Sequence, residues 1–361
     1  MHRNQGEYRS IGVSEEVWRR RSVLLASMAG MAAGAMPSAT WAAIDPARST
    51  HRVTVALAAK QSLYHLPLTL ADQLGFFKQA GLYVEWLPHE SGAKALGSAT
   101  QGQADVVAGA FEHLFALQHR GLNYQAFVQT GRTPQVSLGV ATRWEMRSIM
   151  ALKGARVGVS SIDSSTHWMA CQWLMQNGLL PEDVVFVEVG SSASVVEALR
   201  SGAIDALCNP DPVMYGLEHK NEIRVVGEAR TLLSTRKLMG GNVPGACLFA
   251  RTDYLQRYPD VVQAMSDGVV RALKWLQTAG VTDILKTVPM PYWSNDRAMY
   301  LGAFEKLRES YSLDGLIPYE SVVNAWRAHA RLPGRLSNAR LVLGQTFTNT
   351  FATKSKARFT T

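Results

Sequence analysis

The sequence predicts an α/β protein made of two similar lobes that are joined by a two-strand hinge. Short apolar, β-branched runs alternate with runs of helical periodicity along most of the chain, and the same order of elements occurs twice. Short connections between such elements predict, in each lobe, a parallel sheet with helices on both faces. The chain has 361 residues, of which 47% are hydrophobic and 18% charged, so its length and composition allow two globular domains.

The first predicted lobe begins as an alternation of strands and helices. Strands are expected at 52–58, 83–87, 104–108, 124–130 and 136–141, and helices at 67–79, 91–102 and 111–120. Gly81, Gly102 and Gly121 stand at the ends of these helices, where a left-handed residue often stops a helix.

The second predicted lobe repeats this plan. Strands at 156–159, 184–189 and 204–208 alternate with helices at 166–177 and 193–201. Gln79-Ala80-Gly81-Leu82 corresponds to Gln176-Asn177-Gly178-Leu179, and Gly102-Gln103-Ala104-Asp105 corresponds to Gly202-Ala203-Ile204-Asp205. The two glycines are 21 residues apart in the first lobe and 24 in the second. The matching order and spacing favour two lobes of one kind over a chance similarity of α/β units.

The C-terminal part of the chain is predicted to be mostly helical. A strand at 246–250 is followed by helices at 258–278, 296–311 and 319–330, which we expect to pack on the first lobe. The first lobe would then comprise 44–141 and 246–350, the second 142–245, and the chain would cross between them near 140–143 and 242–245. Two crossing strands form a hinge, so we expect a cleft that opens and closes.

The N-terminal 43 residues have the pattern of an export signal. Arg19, Arg20 and Arg21 end a polar start, 22–36 is small and apolar, and 37–43 has the small residues of a cleavage region. We expect cleavage near Ala42 or Ala43 and a periplasmic mature protein, whose net charge falls from +8 to +6 with the loss of five arginines and three glutamates. The arginine pair favours twin-arginine export, with the general secretory route as the alternative. The apolar run is too short for a permanent anchor.

Composition and motifs argue against several other classes of protein. The basic residues are scattered rather than clustered, so no nucleic-acid partner is expected. Cys171, Cys208 and Cys247 lie far apart in apolar runs, which favours buried thiols over a disulfide. The sequence contains no His-Glu-x-x-His, Cys-x-x-Cys, Gly-x-Ser-x-Gly or Walker motif. We therefore expect a monomeric, non-enzymatic protein without a metal ion or cofactor.

Two hydroxyl-bearing turns are the candidate binding elements. Ser164, Ser165 and Thr166 stand between a predicted strand and the helix that follows, and Ser91, Gly92 and Ala93 open a helix of the first lobe. Free N–H groups and the positive end of the dipole make a helix start favourable for an anion or a polar head group. The alternative is that these serines and threonines only cap their helices, as such residues ordinarily do.

Several neighbouring side chains have open roles. Tyr64 and Phe111 are candidates for an apolar wall of the site, whereas Trp168 is expected in the core. Arg132 could bind a carboxylate or sulfonate with two hydrogen bonds, or be a solvated turn arginine. Glu112 would repel an anion unless it caps its own helix or pairs with Arg132. His167, next to the second turn, is expected to be a helix-start donor rather than a catalyst.

Four stretches, in order and behind the export signal, resemble the solute-binding proteins of nitrate, sulfonate and taurine ABC importers. The wider superfamily also contains the thiamine-pyrimidine precursor proteins. The resemblance covers roughly residues 52–280 and is carried by LGFFKQAGLYVEWLPHESGAKAL, GQADVVAGAFEH, GARVGVSSIDSSTHW and LRSGAIDALCNPDP. It implies a type II periplasmic binding fold that holds a small organic anion between the lobes. The importer's permease and ATPase are then the implied protein partners.

The resemblance also assigns ligand-facing loops. They correspond to residues 61–65, which include Tyr64 and His65, to Ser91-Gly92-Ala93, to Ala110-Phe111-Glu112, to Ser164-Ser165-Thr166 and to Asp211-Pro212. The solute stays open among a sulfonate, taurine, nitrate and a carboxylate, and Glu112 leaves room for an amine-bearing solute or a neutral pyrimidine. Two other functions stay open, a periplasmic sensor and an enzyme that resembles the thiamine-pyrimidine synthases. The three dispersed cysteines argue against the enzyme.

Overall fold

The computed structural model describes residues 51–144, 148–191, 194–293, 296–333, 336 and 339–359. The predicted export signal at 1–43 therefore lies outside the described residues. Within the described ranges, no helix combines the length and the apolar character that a membrane span needs. The three cysteines are buried free thiols, as the apolar runs around them predicted.

The described residues form two five-stranded sheets. In sequence order their strands are β1 (His51–Ala58), β2 (Leu82–His89), β3 (Val106–Ala110), β4 (Tyr124–Gln129), β5 (Val136–Ala141), β6 (Arg156–Val159), β7 (Val185–Glu188), β8 (Ala206–Pro210), β9 (Ile223–Glu228) and β10 (Ala246–Arg251). The first sheet has the order β2-β1-β3-β10-β4, and the second has the order β7-β6-β8-β5-β9.

Helices connect the strands and extend the C-terminal part. They are α1 (Leu66–Gln73), α2 (Phe76–Gln79), α3 (Gly92–Thr100), α4 (His113–His119), α5 (Ser165–Gln176), α6 (Ser194–Arg200), α7 (Val213–His219), α8 (Leu232–Met239), α9 (Thr252–Arg257), α10 (Pro259–Thr278), α11 (Val281–Thr287), α12 (Arg297–Leu307), α13 (Tyr319–His329) and α14 (Thr350–Arg358). The helix predicted at 67–79 is two helices, α1 and α2, because the chain turns at Gly75 with φ +70°.

Each sheet contains one strand from the other half of the chain. β5 pairs antiparallel with β8 and β9 of the second sheet, and β10 pairs antiparallel with β3 and β4 of the first. The remaining central pairs, β1 with β2 and β3 and β6 with β7 and β8, are parallel as predicted. Each sheet is therefore mixed, because its inserted strand arrives from the opposite lobe and runs the other way.

The pairing of β5 corrects the predicted lobe boundary at residue 141. Ser137 pairs with Asn209 of β8, so 136–141 belongs to the second sheet and the chain crosses over 130–135, not near 140–143. An apolar run indicates a strand, but it does not say which sheet that strand joins. At the second crossing, Gly245 N donates to Gly131 O at 2.9 Å, so the two crossing segments lie side by side. A Cβ at Gly245 would stand 1.9 Å from Thr133 O, which requires glycine there.

The internal repeat is visible in the backbone. Gly81 and Gly178 have φ +77° and +83°, and Gly102 and Gly202 both have φ +79°. All four are in the left-handed region that favours glycine. The motif correspondence seen in the sequence therefore reflects equivalent helix ends in the two lobes.

The C-terminal helices bind both lobes rather than the first alone. Val270 of α10 and Phe351 of α14 share a core with Val128 and Leu248 of the first sheet. By contrast, Lys306 of α12 donates to Glu218 of α7 at 3.0 Å, and Gln172 of α5 donates to Ala328 O of α13 at 2.8 Å. The expected packing on the first lobe is thus correct for α10 but incomplete for α12 and α13, and α14, which was not predicted, also packs on the first lobe.

Candidate ligand-binding site

A small cavity of about 60 Å³ lies between the carboxyl ends of the strands of the two sheets. We call it the inner cavity, and its lining residues come from both sheets: Ala58, Ala59, Ser62, Tyr64, His65, Gly92, Ala108, Gly109, Ala110 and His113 from the first, and Val136, Ser160, Ser164, Ser165, Thr166, Ser191 and Pro210 from the second. Ala58, Ala110 and Pro210 are the last residues of β1, β3 and β8. In open α/β sheets, ligands bind at this edge.

Three hydroxyl side chains form a connected cluster on the wall from the second sheet. Ser160 N donates to Thr166 Oγ1 at 2.9 Å, and Ser160 Oγ donates to Ser164 Oγ at 2.9 Å. Ser164 is the N-cap of α5, where its side chain accepts from His167 N, and Ser91 caps α3 by accepting from Lys94 N. Capping is therefore a role of both N-cap serines. Ser164 also lines the inner cavity. Of Ser91, Gly92 and Ala93 in the first lobe, Gly92 lines it.

The two lobes touch directly around the inner cavity. Ser165 Oγ donates to Glu112 Oε1 at 2.6 Å, and Ser62 Oγ donates to Asp211 O at 2.8 Å. Ser191 Oγ donates to Glu90 O at 2.7 Å. Each bond joins a residue of one lobe to a residue of the other, so the cleft is closed.

Glu112 is held by the opposite lobe and not by its own helix. It makes no side-chain cap of α4, and Arg132 is bonded elsewhere. Burial raises the pKa of Glu112, and the hydrogen bond from Ser165 offsets part of that rise. The charge of Glu112 in turn adds to the effect of burial in raising the pKa of Tyr64. The Tyr64 hydroxyl is buried and has no hydrogen-bond partner among the described residues.

The histidines of the inner cavity are uncharged at neutral pH. Burial lowers the pKa of His65 to about 4, and burial together with nearby His329 lowers the pKa of His113 to about 4. No lysine or arginine is among the described residues that line the inner cavity. An anionic head group there would consequently rely on backbone N–H groups, hydroxyls and helix dipoles.

Three predicted site residues point away from the inner cavity. Phe111 is fully buried and packs on Phe115 with ring centroids 5.7 Å apart. Arg132 Nε donates to the Glu309 carbonyl oxygen at 2.9 Å. His167 Nδ1 accepts from Asp163 N at 3.2 Å. The placement of Phe111 follows from the alternation of side chains along a strand, because its neighbour Ala110 is the one that faces the cavity.

Ser91 and Ala93 also stay outside the lining of the inner cavity, and Asp211 belongs to a buried ion cluster beside it. The fully buried guanidinium of Arg230 contacts Asp211 Oδ1 at 3.4 Å, Glu218 at 2.9 Å and Glu228 at 2.5 Å. Burial raises the pKa of Asp211 to about 6 despite this guanidinium. Arg230 was not predicted from the sequence, because no motif marks it. The available signal in the sequence was Asp211. It follows an apolar run, and a buried carboxylate needs a cation nearby.

Trp168 is not the core residue that its helix stripe predicted. It is half-buried and packs between His113 of α4 and His329 of α13, with ring centroids 5.2 and 4.7 Å away. Since α5 belongs to the second lobe, these rings form a contact between lobes behind the inner cavity. Among the described residues, no group of three or more His, Cys, Asp and Glu side chains is arranged to hold a metal ion.

Two mixed sheets, each receiving a strand from the other and enclosing a cavity at their strand ends, make up the fold of periplasmic binding proteins. Within that class, residues 62–279 match the NMT1/THI5-like family, and the chain belongs to it.

Two proteins show how the match extends along the chain. A solved structure from Bordetella bronchiseptica RB50 is 37% identical, has a TM-score of 0.81, and aligns over 86% of this chain and 98% of that one. YtlA of Bacillus subtilis (strain 168), named as a candidate binding protein, is 21% identical over 270 residues, which are 71% of this chain and 76% of YtlA.

More distant structures share the fold alone. The alkanesulfonate-binding protein SsuA from Xanthomonas axonopodis pv. citri, bound to MOPS, is 16% identical with a TM-score of 0.59, over 84% of this chain and 99% of SsuA. The desulfurization enzyme DszB is 16% identical with a TM-score of 0.56, over 86% of this chain and 99% of DszB. The same fold thus occurs in a binding protein and in an enzyme.

Proposed function

We propose that this protein is the solute-binding component of an ABC importer and captures a small organic anion in the inner cavity. The solute would be a sulfonate, taurine, a nitrate-like ion or a carboxylate, delivered in the periplasm to the importer's permease and ATPase. The family membership, the likeness to YtlA and the alkanesulfonate named for SsuA support this role.

The observation that carries the proposal is the meeting of two helix starts at one cavity. Gly92 begins α3 in the first lobe, and Ser165 and Thr166 begin α5 in the second, and all three line the inner cavity. The N–H groups of a first helical turn have no partner within their helix, and the helix dipole there favours negative charge by roughly 0.3–1 kcal/mol per charge, more when partly buried. With the lobes closed, both helix starts would face one head group.

A catalytic role is the alternative that the likeness to DszB raises. The three cysteines are buried and none lines the inner cavity. Burial raises the pKa of Cys171 to about 12 and also raises that of Cys208 and Cys247. Because the thiolate is the reactive form, these cysteines are poorly suited to nucleophilic catalysis, and we favour binding.

The test begins with a thermal-shift screen of the mature protein against nitrate, taurine, methanesulfonate, benzoate and a pyrimidine, since a bound solute stabilises the folded state by mass action. Calorimetric affinity for the best solute is then measured for Thr166→Val and for Thr166→Ser, which keeps the hydroxyl. A hydrogen bond to a charged group contributes roughly 1.5–3 kcal/mol. The valine variant should therefore bind about ten- to a hundredfold more weakly, and the serine variant should bind nearly as well as the original protein.

Stability is measured on the same two variants, because Thr166 Oγ1 accepts from Ser160 N. Loss of this acceptor should lower the free energy of unfolding of the valine variant by about 1–3 kcal/mol. If stability falls while affinity stays unchanged, the hydroxyl cluster is structural and the proposed site is wrong.

A further inference from the structure

A second, larger cavity adjoins the inner cavity and is lined, like it, by residues of both lobes. It has a volume of about 800 Å³, and we call it the outer chamber, defined by the residues that line it: Ala59, Lys60, Gln61, Ser62, Pro88, His89, Glu90, Ser191, Val196, Arg200, Asn209, Pro210, Asp211, Pro212, Val213, Gly216, Leu217, Lys220, Glu222, Tyr292 and Met299. Four of these also line the inner cavity, namely Ala59, Ser62, Ser191 and Pro210. The two spaces therefore adjoin each other at these four residues.

We propose that the solute has an apolar alkyl or aromatic body that occupies the outer chamber while its anionic head is held in the inner cavity. This inference rests on the proposed function and narrows it. It selects elongated sulfonates or carboxylates over nitrate and taurine, which consist of little more than a head group.

The sizes of the two spaces support this division. A water molecule takes about 30 Å³ in the liquid, so the 60 Å³ of the inner cavity suit a head group and little else. Pockets that bind organic ligands usually measure about 300–1,000 Å³. The outer chamber lies within that range, and the inner cavity lies far below it.

The chemistry of the outer chamber also differs from that of the inner cavity. Val196 of α6, Val213 and Leu217 of α7, and Met299 of α12 give it an apolar wall drawn from three helices. Val196, Val213 and Met299 are only partly buried, so an apolar group in the chamber would remove further apolar surface from water. Contiguous apolar surface inside a cleft is typical of a ligand site.

Several of the charged residues that line the outer chamber have partners within the protein, while Lys220 is exposed at its edge. Arg200 donates from Nε and Nη2 to the carboxylate of Glu222, both at 2.8 Å, and Lys60 Nζ lies 4.8 Å from the centre of the Trp86 ring. The Asp211 carboxylate faces Arg230. We assign recognition of the head-group charge to the inner cavity, where the two helix starts meet, and the chamber contributes by burying apolar surface.

Two ligand series test the proposal by calorimetry on the mature protein. The first is methane-, butane- and octanesulfonate, and the second is acetate, butyrate and octanoate. In the series whose head group binds, the dissociation constant should fall by about three- to fourfold for each added methylene until the chamber is filled. A dissociation constant that does not change with chain length overturns the chamber proposal and leaves the proposed function standing. If nitrate or taurine binds and no member of either series does, the chamber proposal is overturned. If none of these solutes binds, the proposed function is overturned as well.

Variants then locate the apolar body. Val213→Asp should weaken octanesulfonate or octanoate at least tenfold and leave the one- or two-carbon member unchanged, and the isosteric Val213→Thr should act in the same direction by a smaller factor. The matched control is Leu233→Asp on α8, because Leu233 is 64% exposed and lies outside the chamber. Unfolding curves verify that each variant is folded. Equal loss for short and long members, or no loss in either Val213 variant, overturns the proposal.

Discussion

The carboxyl group of Glu112 lies where the lobes meet, and its protonation is coupled to that contact. Ser165 Oγ donates to it across the cleft, and burial raises its pKa. A raised carboxyl pKa means that the closed, folded protein holds this proton more tightly than the unfolded chain does. The stabilisation from this group is therefore fully present below the unfolded pKa and is lost as the pH rises through the folded pKa. Above that pH the ionised carboxylate also repels an anion in the neighbouring cavity.

Replacement of Glu112 by glutamine should remove this repulsion while keeping an acceptor for Ser165. We expect the affinity of the original protein for its anionic solute to fall as the pH rises through the raised pKa, by up to about tenfold for each pKa unit of coupling. The affinity of Glu112→Gln should change less over the same range and exceed that of the original protein at pH 8. Calorimetric titrations at pH 5, 6, 7 and 8 measure both.

The control for this prediction is Glu85→Gln, since Glu85 is a partly exposed glutamate of β2 that pairs with Arg52 and lines neither cavity. It should leave the pH dependence unchanged. Asp211, whose pKa is about 6, titrates in all three proteins, so the difference between them isolates Glu112. Weaker binding by Glu112→Gln at every pH would show that the carboxylate attracts the solute, as an amine-bearing ligand requires.

At the residue scale, the sequence predicted positions near the site better than it predicted side-chain directions. Gly92, Ser164, Ser165 and Thr166 line the inner cavity because a strand end and a helix start fix the backbone there. Phe111 was misplaced because a shift of one residue along a strand end reverses the face.

The end of α3 allows a comparison of two glycines within one element. Gly97 is inside the helix with open space around its Cβ position, whereas Gly102 follows the helix at φ +79°. Gly97→Ala should raise the free energy of unfolding by roughly 0.5–1 kcal/mol, because alanine loses less conformational entropy in a helix. Gly102→Ala should lower it by about 1–2 kcal/mol, since the left-handed conformation crowds a Cβ. Urea unfolding of both variants gives the comparison, and a loss of stability in both would contradict it.

At the element scale, the repeated unit could be predicted, but the elements between its last strand and β10 could not. The paired glycines at 81, 102, 178 and 202 marked equivalent helix ends, and the backbone bears this out. β9, α7 and α8 went unrecognised. β9 includes Arg224 and lies at the edge of its sheet, where exposed positions weaken the apolar pattern. The helices α7 and α8 have only seven and eight residues. Such short helices show too little periodicity to stand out.

For the whole molecule, the structure predicts a change of shape on ligand binding. The hydrogen bonds across the cleft hold the closed form, and the two crossing segments at 130–135 and 242–245 lie together as a hinge. We expect the ligand-free protein to be more open, and the radius of gyration from small-angle X-ray scattering to fall when the solute identified by the screen saturates the site.

The scattering control is Thr166→Val at the same solute concentration, which should stay at the larger radius because it binds weakly. If the radius of the original protein is the same with and without saturating solute, the hinge does not operate. If the scattering curve of the ligand-free protein matches the closed structure, the protein is mostly closed before the solute binds.

The position of β10 in the middle of the first sheet sets an order for assembly. Cys247 of β10 bonds to Gly109 O of β3 across a separation of 138 residues, so the first sheet cannot be completed before the ribosome has made the second. The five strands of the second sheet, by contrast, lie in one continuous stretch from Val136 to Glu228. The lobe whose strands come first in the chain can therefore complete its sheet only after the second sheet has been synthesised. Until then β3 and β4 keep unpaired edges, which are the surfaces at which chaperones bind and aggregation begins.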